Sequence, residues 1–173
     1  DVIFTNGAGN FSVWNNKGFR YGPQARLLAP QNGTMGYGLP AAIAAKAAYP
    51  DRTVVCFAGD GDLQMTIQEL GSARQAGYEP IVLVFDNGMY GTIRAHQERH
   101  YPGRISGTPI DNPDFVAIAQ AYGMYAEAVR ETDAFGPAFE RAMASPTGAL
   151  LHLHMPAEML TPWESIDQAR DRT

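Results

Sequence analysis

An aspartate between two glycines stands where an apolar run meets a helix-type pattern. Gly59-Asp60-Gly61 follows the run 53–58, and the helix-type pattern begins at residue 63. The glycines allow a tight turn, and the backbone N–H groups at a helix start favour an anion such as a phosphate. Because Asp60 is itself an anion, it shares this place with a phosphate only if a cation lies between them. Mg²⁺, which prefers oxygen ligands and substrate phosphates, is the simplest candidate.

A second candidate ligand follows the next apolar run. Asn87 offers a neutral amide oxygen, and Gly88 lets the chain turn so that the carbonyl of Met89 faces the same ion. These oxygens and two phosphate oxygens leave one position for water in an octahedron. Taken alone, the Gly-Asp-Gly tripeptide is better explained as an ordinary strand–helix turn in which Asp62 caps the helix. The prediction of Mg²⁺ therefore depends on the two loops together.

Strands and helices must bring these loops together. Their alternation along the sequence predicts a doubly wound α/β fold, with a mostly parallel sheet flanked by helices. Runs that are apolar on both alternating faces are typical of strands covered by helices on both sides. Ligands bind at the carboxyl ends of such strands. The predicted strands are 2–5, 26–28, 53–58, 80–85, 124–129 and 149–154, and the predicted helices are 35–48, 63–76, 113–121 (capped by Asn112) and 133–144.

Composition narrows the class of protein. The chain has 173 residues, of which 45% are hydrophobic and 18% charged, as in an ordinary globular domain. Its formal net charge of −5 argues against a nucleic-acid-binding or anionic-membrane-binding surface. The longest apolar run, 81–85, is too short to span a bilayer. A single cysteine, Cys56, fits a reducing compartment, so we expect a cytoplasmic location.

The full pattern resembles the signature of thiamine diphosphate-dependent enzymes. It comprises a strand, Gly59-Asp60-Gly61, a helix with Gln68-Glu69-Leu70, a strand, Asp86-Asn87 and Tyr90-Gly91. The run 32–42, NGTMGYGLPAA, is similar to the glycine-rich loop and helix of the acetolactate synthase-like branch. The resemblance covers nearly the whole chain. It implies the C-terminal, diphosphate-binding domain of enzymes whose complete chains have three domains.

The resemblance also implies roles for individual residues. Asp60, Asn87 and the Met89 carbonyl would bind Mg²⁺. The Gly33 carbonyl would accept a hydrogen bond from the aminopyrimidine of the cofactor, and Met35 would separate its two rings so that the amino group lies against the thiazolium C2. The residues implied around the diphosphate are Asn10, Phe11, Gly59, Gly61, Asp62, Tyr90 and Gly91.

Some positions depart from the family pattern. Asp62 stands where relatives often carry a small or hydroxyl residue, and we expect its side chain to point away from the diphosphate and cap the helix. Asp86 replaces the first Asn of the usual pair. Asn10-Phe11 occupies positions of Gln-His in true acetolactate synthases, and His96 occupies that of a substrate-selecting tryptophan. These differences argue against acetolactate synthesis itself, and they suggest His96 as a residue at the substrate mouth.

The remaining histidines carry weaker signals. His96 and His100, with Glu98 between them, have the spacing of a helical metal site. A solvated helix face is the simpler interpretation, because no third ligand is evident. His152 and His154 alternate along a predicted strand and so share one face of the sheet, which we interpret as sheet-face or interface positions.

We therefore expect the Mg²⁺–thiamine diphosphate half-site of an acetolactate synthase-like 2-oxo acid decarboxylase or carboligase. In that family a glutamate on a separate pyrimidine-binding domain, normally from another subunit, activates the cofactor. The resemblance thus implies that this chain alone is inactive, and that it works with that domain in a homo-oligomer on a small 2-oxo acid.

Domain boundaries and alternatives complete the expectations. The start at Asp1, directly before an apolar strand, predicts a domain cut from a longer chain, with the domain at 1–163 and a loosely held polar tail at 164–173. One alternative is the separate β subunit of a two-subunit 2-oxo acid decarboxylase. Another is a nonenzymatic cofactor-binding module. A nicotinamide-binding domain is disfavoured because no Gly-x-Gly-x-x-Gly fingerprint follows the first strand.

Overall fold

A six-stranded parallel sheet forms the centre of the fold in a computed structural model that describes residues 1–78 and 80–171. The strands are β1 (Val2–Asn6), β2 (Arg26–Leu28), β3 (Thr53–Gly59), β4 (Ile81–Asp86), β5 (Tyr125–Val129) and β6 (Ala149–His154). Their order across the sheet is β2-β1-β3-β4-β6-β5, and all neighbouring pairs are parallel. All six predicted strands are confirmed, with each end placed to within one residue.

Eight helices lie in the described part of the chain. They are α1 (Phe11–Gly18), α2 (Gly38–Ala48), α3 (Asp60–Gln64), α4 (Glu69–Ala76), α5 (Gly91–His100), α6 (Phe115–Ala121), α7 (Thr132–Ala144) and α8 (Ile166–Arg170). A short antiparallel hairpin, β7 (Met159–Thr161) and β8 (Glu164–Ser165), precedes α8. None of the described helices is long and apolar enough to cross a membrane.

Two apolar cores cover the two faces of the sheet. Val82 and Val84 of β4 pack into the core formed with α2, α4 and α6. Ile81 and Leu83 pack into the opposite core, which contains residues of α7. Successive residues of one strand therefore face different helical layers, which explains why this strand is apolar throughout and confirms the doubly wound prediction.

The predicted helix 63–76 is instead two helices separated by a turn. The first, α3, already begins at Asp60, and residues 65–68 form the turn. The Thr66 hydroxyl donates a hydrogen bond of 2.9 Å to the carbonyl oxygen of Gly36, which fixes this turn against the glycine-rich loop. Gly36 itself has a φ of +83°, so the next helix, α2, begins at Gly38 and not at residue 35.

The segment predicted as a loose polar tail is ordered structure as far as residue 170. It contains β8 and α8, and Ser165 and Gln168 form a reciprocal capping box at the start of α8. The helix packs against α5, where the buried Glu98 accepts hydrogen bonds from Arg170. The prediction of a loose tail is therefore wrong over these residues, and its last two residues, 172–173, lie outside the described residues.

Candidate functional site

One cavity of about 240 Å³ lies at the carboxyl ends of β1, β3 and β4. Its walls come from the three loops that follow these strands and from the glycine-rich loop before α2. The strand order places this cavity at the point where the winding reverses, because the chain passes from β1 to β2 on one side and then from β2 to β3 on the other side of β1. The cavity lining includes all twelve residues suggested for cofactor binding: Asn10, Phe11, Gly33, Met35, Gly59, Asp60, Gly61, Asp62, Asn87, Met89, Tyr90 and Gly91.

Asp60 lies at the floor of this cavity and is only 3% exposed. Its Oδ1 accepts a hydrogen bond from the Gly61 N–H (2.9 Å), and its Oδ2 accepts from the Gly88 N–H (3.0 Å) and from Asn112 Nδ2 (2.8 Å). Among the described residues, no cationic side chain forms an ion pair with Asp60. Burial raises the pKa of its carboxyl above the ordinary value, and the nearby Asp86 adds to this effect.

This donor set is suited to a hard cation. A buried carboxylate without a cationic partner is unfavourable, and a bound divalent ion would compensate its charge. Asn87 and Met89 line the same cavity on the loop after β4. That loop is held by two backbone hydrogen bonds, from the Ile110 N–H to the Gly88 carbonyl (2.9 Å) and from the Tyr90 N–H to the Thr108 carbonyl (2.9 Å).

The ring of Tyr90 packs directly on Gly61 in another part of the cavity wall. A Cβ atom on Gly61 would lie 2.5 Å from a ring carbon of Tyr90, so only glycine permits this packing. Helices α1 and α5 both begin at the cavity without a side-chain cap. Their starts are joined by Thr92, whose Oγ1 accepts from the Asn10 N–H (3.1 Å) and donates to Asn10 Oδ1 (2.9 Å). Helix starts of this kind favour anionic groups.

Asp62 joins the loops and does not cap a helix, so the capping prediction is wrong. The N-cap of α3 is Gly59. The Asp62 Oδ1 atom accepts hydrogen bonds from the Gly36 N–H (2.7 Å) and the Ala8 N–H (3.3 Å), which connects the glycine-rich loop to the loop after β1. Burial raises the pKa of Asp62 to about 6.

Comparison with known proteins agrees with this geometry. The family model described as "Thiamine pyrophosphate enzyme, C-terminal TPP binding domain" matches residues 7–153. The chain belongs to this family. The matched range contains every residue that we suggested for cofactor binding, and the resemblance to thiamine diphosphate-dependent enzymes is thereby confirmed.

Relatives of this C-terminal TPP-binding domain include acetolactate synthases. The chain is 35% identical to an acetolactate synthase large subunit from Parasynechococcus marenigrum (strain WH8102), over 90% of this chain and 25% of that protein. It is 33% identical to the acetolactate synthase isozyme 2 large subunit of Escherichia coli (strain K12), over 88% of this chain and 28% of that protein. The chain thus spans about a quarter of the length of the curated relatives it matches.

A solved structure shows the same fold. It is the thiamine diphosphate-dependent 4-hydroxybenzoylformate decarboxylase of Rhodococcus jostii RHA1, which has a TM-score of 0.83 and 31% identity to this chain. The match covers 90% of this chain and 30% of that one. Sequence and fold therefore both support the assignment of this TPP-binding domain to the acetolactate synthase-like enzymes.

Sequence reasoning missed the role of Asn112. Its Nδ2 donates to Asp60 Oδ2 and to Asp86 Oδ1, both at 2.8 Å, and its Oδ1 accepts from Gln64 Nε2 at 2.8 Å. We predicted Asn112 as a helix cap, but Asp114 caps α6 by accepting from the Ala117 N–H. The available signal was Asp114 itself, an N-cap type residue directly before the apolar run 115–119.

Apolar parts of the cavity wall were also missed. They come mainly from α1 and from the region of β7, two elements that the sequence patterns did not predict. Short helices and strands of two or three residues carry little periodic signal. The apolar side chains in question are Trp14, Ile93, Met155, Met159 and Leu160.

The histidines occupy two separate places. His96 is exposed on α5, is not among the residues that line the cavity, and stacks on His100 with ring centroids 6.3 Å apart. Its role at a substrate mouth stays a prediction. His152 and His154 share one face of β6, as predicted, and His152 Nε2 lies 2.7 Å from Asp86 Oδ2.

Proposed function

We propose that this chain is the Mg²⁺–thiamine diphosphate-binding part of an acetolactate synthase-like enzyme acting on a small 2-oxo acid. The observation that supports this most is the convergence of twelve family-implied residues on one cavity, whose floor is a buried carboxylate with no cationic partner among the described residues. A structural role for Asp60 would not require a buried charge at the base of an open cavity.

The metal would be held by three oxygen donors. These are the carboxylate of Asp60, the amide oxygen of Asn87 and the carbonyl of Met89. Oxygen ligands of this kind suit Mg²⁺, which retains phosphate oxygens and water in its remaining positions. The bound ion would neutralise the charge that the fold keeps buried at Asp60.

The remaining cavity residues would orient the cofactor. Gly61, Tyr90 and Gly91 line the cavity and would lie around the diphosphate, while the Gly33 carbonyl and Met35 would set the positions of the two rings. When bound, thiamine diphosphate supplies the electron sink for breaking a bond beside the carbonyl of a 2-oxo acid. The apolar wall would exclude water from that place.

Activity of the whole protein rests on groups outside this chain. We propose that a pyrimidine-binding domain, from the same or a neighbouring chain of a homo-oligomer, supplies the activating glutamate. Decarboxylation and carboligation both begin with the same site, so lyase and transferase reactions are each compatible with it. The single buried Cys56 is consistent with a reducing, cytoplasmic location. A separate β subunit and a nonenzymatic module would share this cofactor site.

Calorimetric titration tests the cofactor site directly. Thiamine diphosphate is titrated into the chain with Mg²⁺ and with EDTA, and into the variants Asp60→Asn and Asp51→Asn. Asp51 is an exposed acid, so its variant matches the change in charge without touching the cavity. We expect binding that requires Mg²⁺, is lost in Asp60→Asn and persists in Asp51→Asn.

The result that contradicts the proposal is binding that is equal in Mg²⁺ and EDTA, or that persists in Asp60→Asn. Absence of binding to the chain is followed by the same titration on the full-length protein. Binding there would show that the partner domain is required, and its absence there would exclude the proposed cofactor.

A further inference from the structure

A cluster of ligand-type side chains lies beside the cofactor cavity and is not used by it. Asp86 ends β4, and His154 is its register partner on the adjacent β6. His152 lies on the same face of β6, two residues earlier. One ligand atom from each of these three residues lies within 4.8 Å of the others.

The Asp86 carboxylate is held in a fixed orientation. Its Oδ1 accepts hydrogen bonds from Asn112 Nδ2 (2.8 Å) and the Gly88 N–H (2.9 Å). Its Oδ2 is left to face the histidines, at 2.7 Å from His152 Nε2. Such hydrogen bonds to the non-ligating oxygen are how proteins orient carboxylates that bind metals.

The two imidazoles are packed close together. Their ring centroids are 4.1 Å apart, and the ring of Phe115 packs edge-on against His152 at 5.2 Å. The Nε2 atom of His154 is buried and has no hydrogen-bond partner among the described residues. A buried polar atom without a partner calls for a specific explanation, and an ion is one of the few that suit an imidazole.

The electrostatic environment favours the form of His154 that binds metals. Burial lowers the pKa of this imidazole, the positive charge of Arg130 lowers it further, and the Asp86 carboxylate raises it. The neutral imidazole is the ligating form. Arg130 opposes a cation here, whereas the Asp86 carboxylate favours one.

We propose that Asp86, His152 and His154 bind a zinc ion, with a fourth position left for water. Two imidazole nitrogens and one carboxylate oxygen form a common zinc donor set, whereas Mg²⁺ prefers oxygen donors alone. The ion would join the carboxyl ends of β4 and β6, in place of the hydrogen bond that now links Asp86 to His152. This site is separate from the cofactor site and does not depend on the proposed function.

Cobalt spectroscopy tests the proposal, because Co²⁺ reports zinc sites through visible absorption. Chelator-treated chain in excess Mg²⁺ is titrated with Co²⁺ and then with Zn²⁺. We expect a saturable band typical of tetrahedral Co²⁺, abolished by one equivalent of Zn²⁺. Loss of one ligand in His154→Asn should weaken Co²⁺ binding by at least about tenfold, since even losing an outer-shell partner commonly costs that much.

Two control variants separate this site from its neighbours. His96→Ala/His100→Ala removes the other two histidines of the chain, which are four residues apart on α5. Asp60→Asn removes the proposed Mg²⁺ ligand. We expect both controls to retain the band. Its absence in wild type, its persistence in His154→Asn or its loss in either control would overturn the proposal.

A measurement on the wild-type chain covers the case in which His154→Asn does not fold. Histidines are modified with diethyl pyrocarbonate, with and without Zn²⁺, and the modified positions are identified by mass spectrometry. We expect Zn²⁺ to slow modification of His154 relative to His96. Equal rates with and without Zn²⁺ would contradict the site.

Discussion

At the scale of single residues, Asn112 keeps two acidic side chains together. Both hydrogens of its amide nitrogen are used, one toward Asp60 and one toward Asp86, and its oxygen accepts from Gln64. Without this amide, Asp60 would keep only backbone N–H donors, and no shared donor would lie between the two carboxylates. Asn112→Leu should therefore lower the free energy of unfolding by about 1–3 kcal/mol, the usual cost of leaving buried polar groups unpaired.

Mg²⁺ should recover more stability in Asn112→Leu than in wild type, because a cation replaces the lost donors between the carboxylates. Urea unfolding with and without Mg²⁺ measures both effects. Asn16→Leu, on the exposed surface of α1, is the matched control and should change little. Equal responses to Mg²⁺ in variant and wild type would contradict this interpretation of Asn112.

Asp62 predicts a pH-dependent stability. The pKa of its carboxyl is about 6 in the folded chain, against an ordinary value of 3.8. The folded chain therefore binds the proton more tightly, and the cost of ionising Asp62 is absent below about 3.8 and complete above about 6. The stability of wild type relative to Asp62→Asn should fall as the pH rises through this window and then level off.

Urea unfolding at a series of pH values between 4 and 7 measures this difference. Asp51→Asn controls for the loss of one acidic group at an exposed position. A difference between wild type and Asp62→Asn that does not vary with pH would show that Asp62 ionises equally in both states.

At the scale of elements, the sequence predicted those that carry a strong periodic pattern. The strands of the sheet are apolar on both faces because helices cover both faces. Glycines and prolines near the strand ends indicated where the strands begin and end. The predicted acidic and glycine residues lie together because they follow strands that end at the same edge. The division between α3 and α4 was not predicted, since it depends on the tertiary hydrogen bond between Thr66 and Gly36.

Helix α8 was missed for a related reason. Its residues are mostly polar, and its stability comes from contacts that are distant in sequence. The Glu98 carboxylate on α5 accepts from Arg94, Arg170 and the Gly103 N–H while its side chain is 1% exposed. We predicted a tail because the segment is rich in charged residues. Long-range ion pairs and a capping box instead specify a helix there.

The link between α5 and α8 should weaken in acid. The hydrogen bond from Arg170 is the main reason that the pKa of Glu98 is lowered from 4.5 to about 2. The stabilisation from ionised Glu98 is thus complete above about 4.5 and is lost as the pH falls through about 2. Glu98→Gln should be less stable than wild type by about 1–3 kcal/mol at pH 7 and nearly equal to it near pH 2.

Unfolding curves at both pH values check this prediction, and hydrogen exchange of the α8 amides shows where the loss occurs. Glu140→Gln, an exposed position on α7, serves as the control. A stability difference that is as large near pH 2 as at pH 7 would indicate a packing effect and not an effect of charge.

At the scale of the whole molecule, the cavity should couple ligand binding to folding. Mg²⁺ and thiamine diphosphate together compensate charges that neither compensates alone, since one brings the cation and the other the phosphates. In the presence of Mg²⁺, thiamine diphosphate at about 100 times its dissociation constant should raise the free energy of unfolding by about 2.7 kcal/mol. For a chain of this size that raises the melting temperature by about 5–10 °C. Thermal unfolding measures this shift, which should be absent with either component alone and in Asp60→Asn.

The proposed function predicts that catalysis requires groups outside this chain. The cavity of this chain provides buried oxygens, glycine turns and an apolar wall. The chain spans only about a quarter of the length of its curated relatives. If the activating glutamate lies on a separate domain, as proposed, the chain with Mg²⁺ and thiamine diphosphate should bind the cofactor without releasing CO₂ from a 2-oxo acid. A coupled assay with pyruvate and benzoylformate measures this, with the full-length protein as positive control. Turnover by the chain at the rate of the full-length protein would instead place the activating group among its own residues, with Asp62, the titratable carboxyl joining the loops around the cavity, as the first to be replaced.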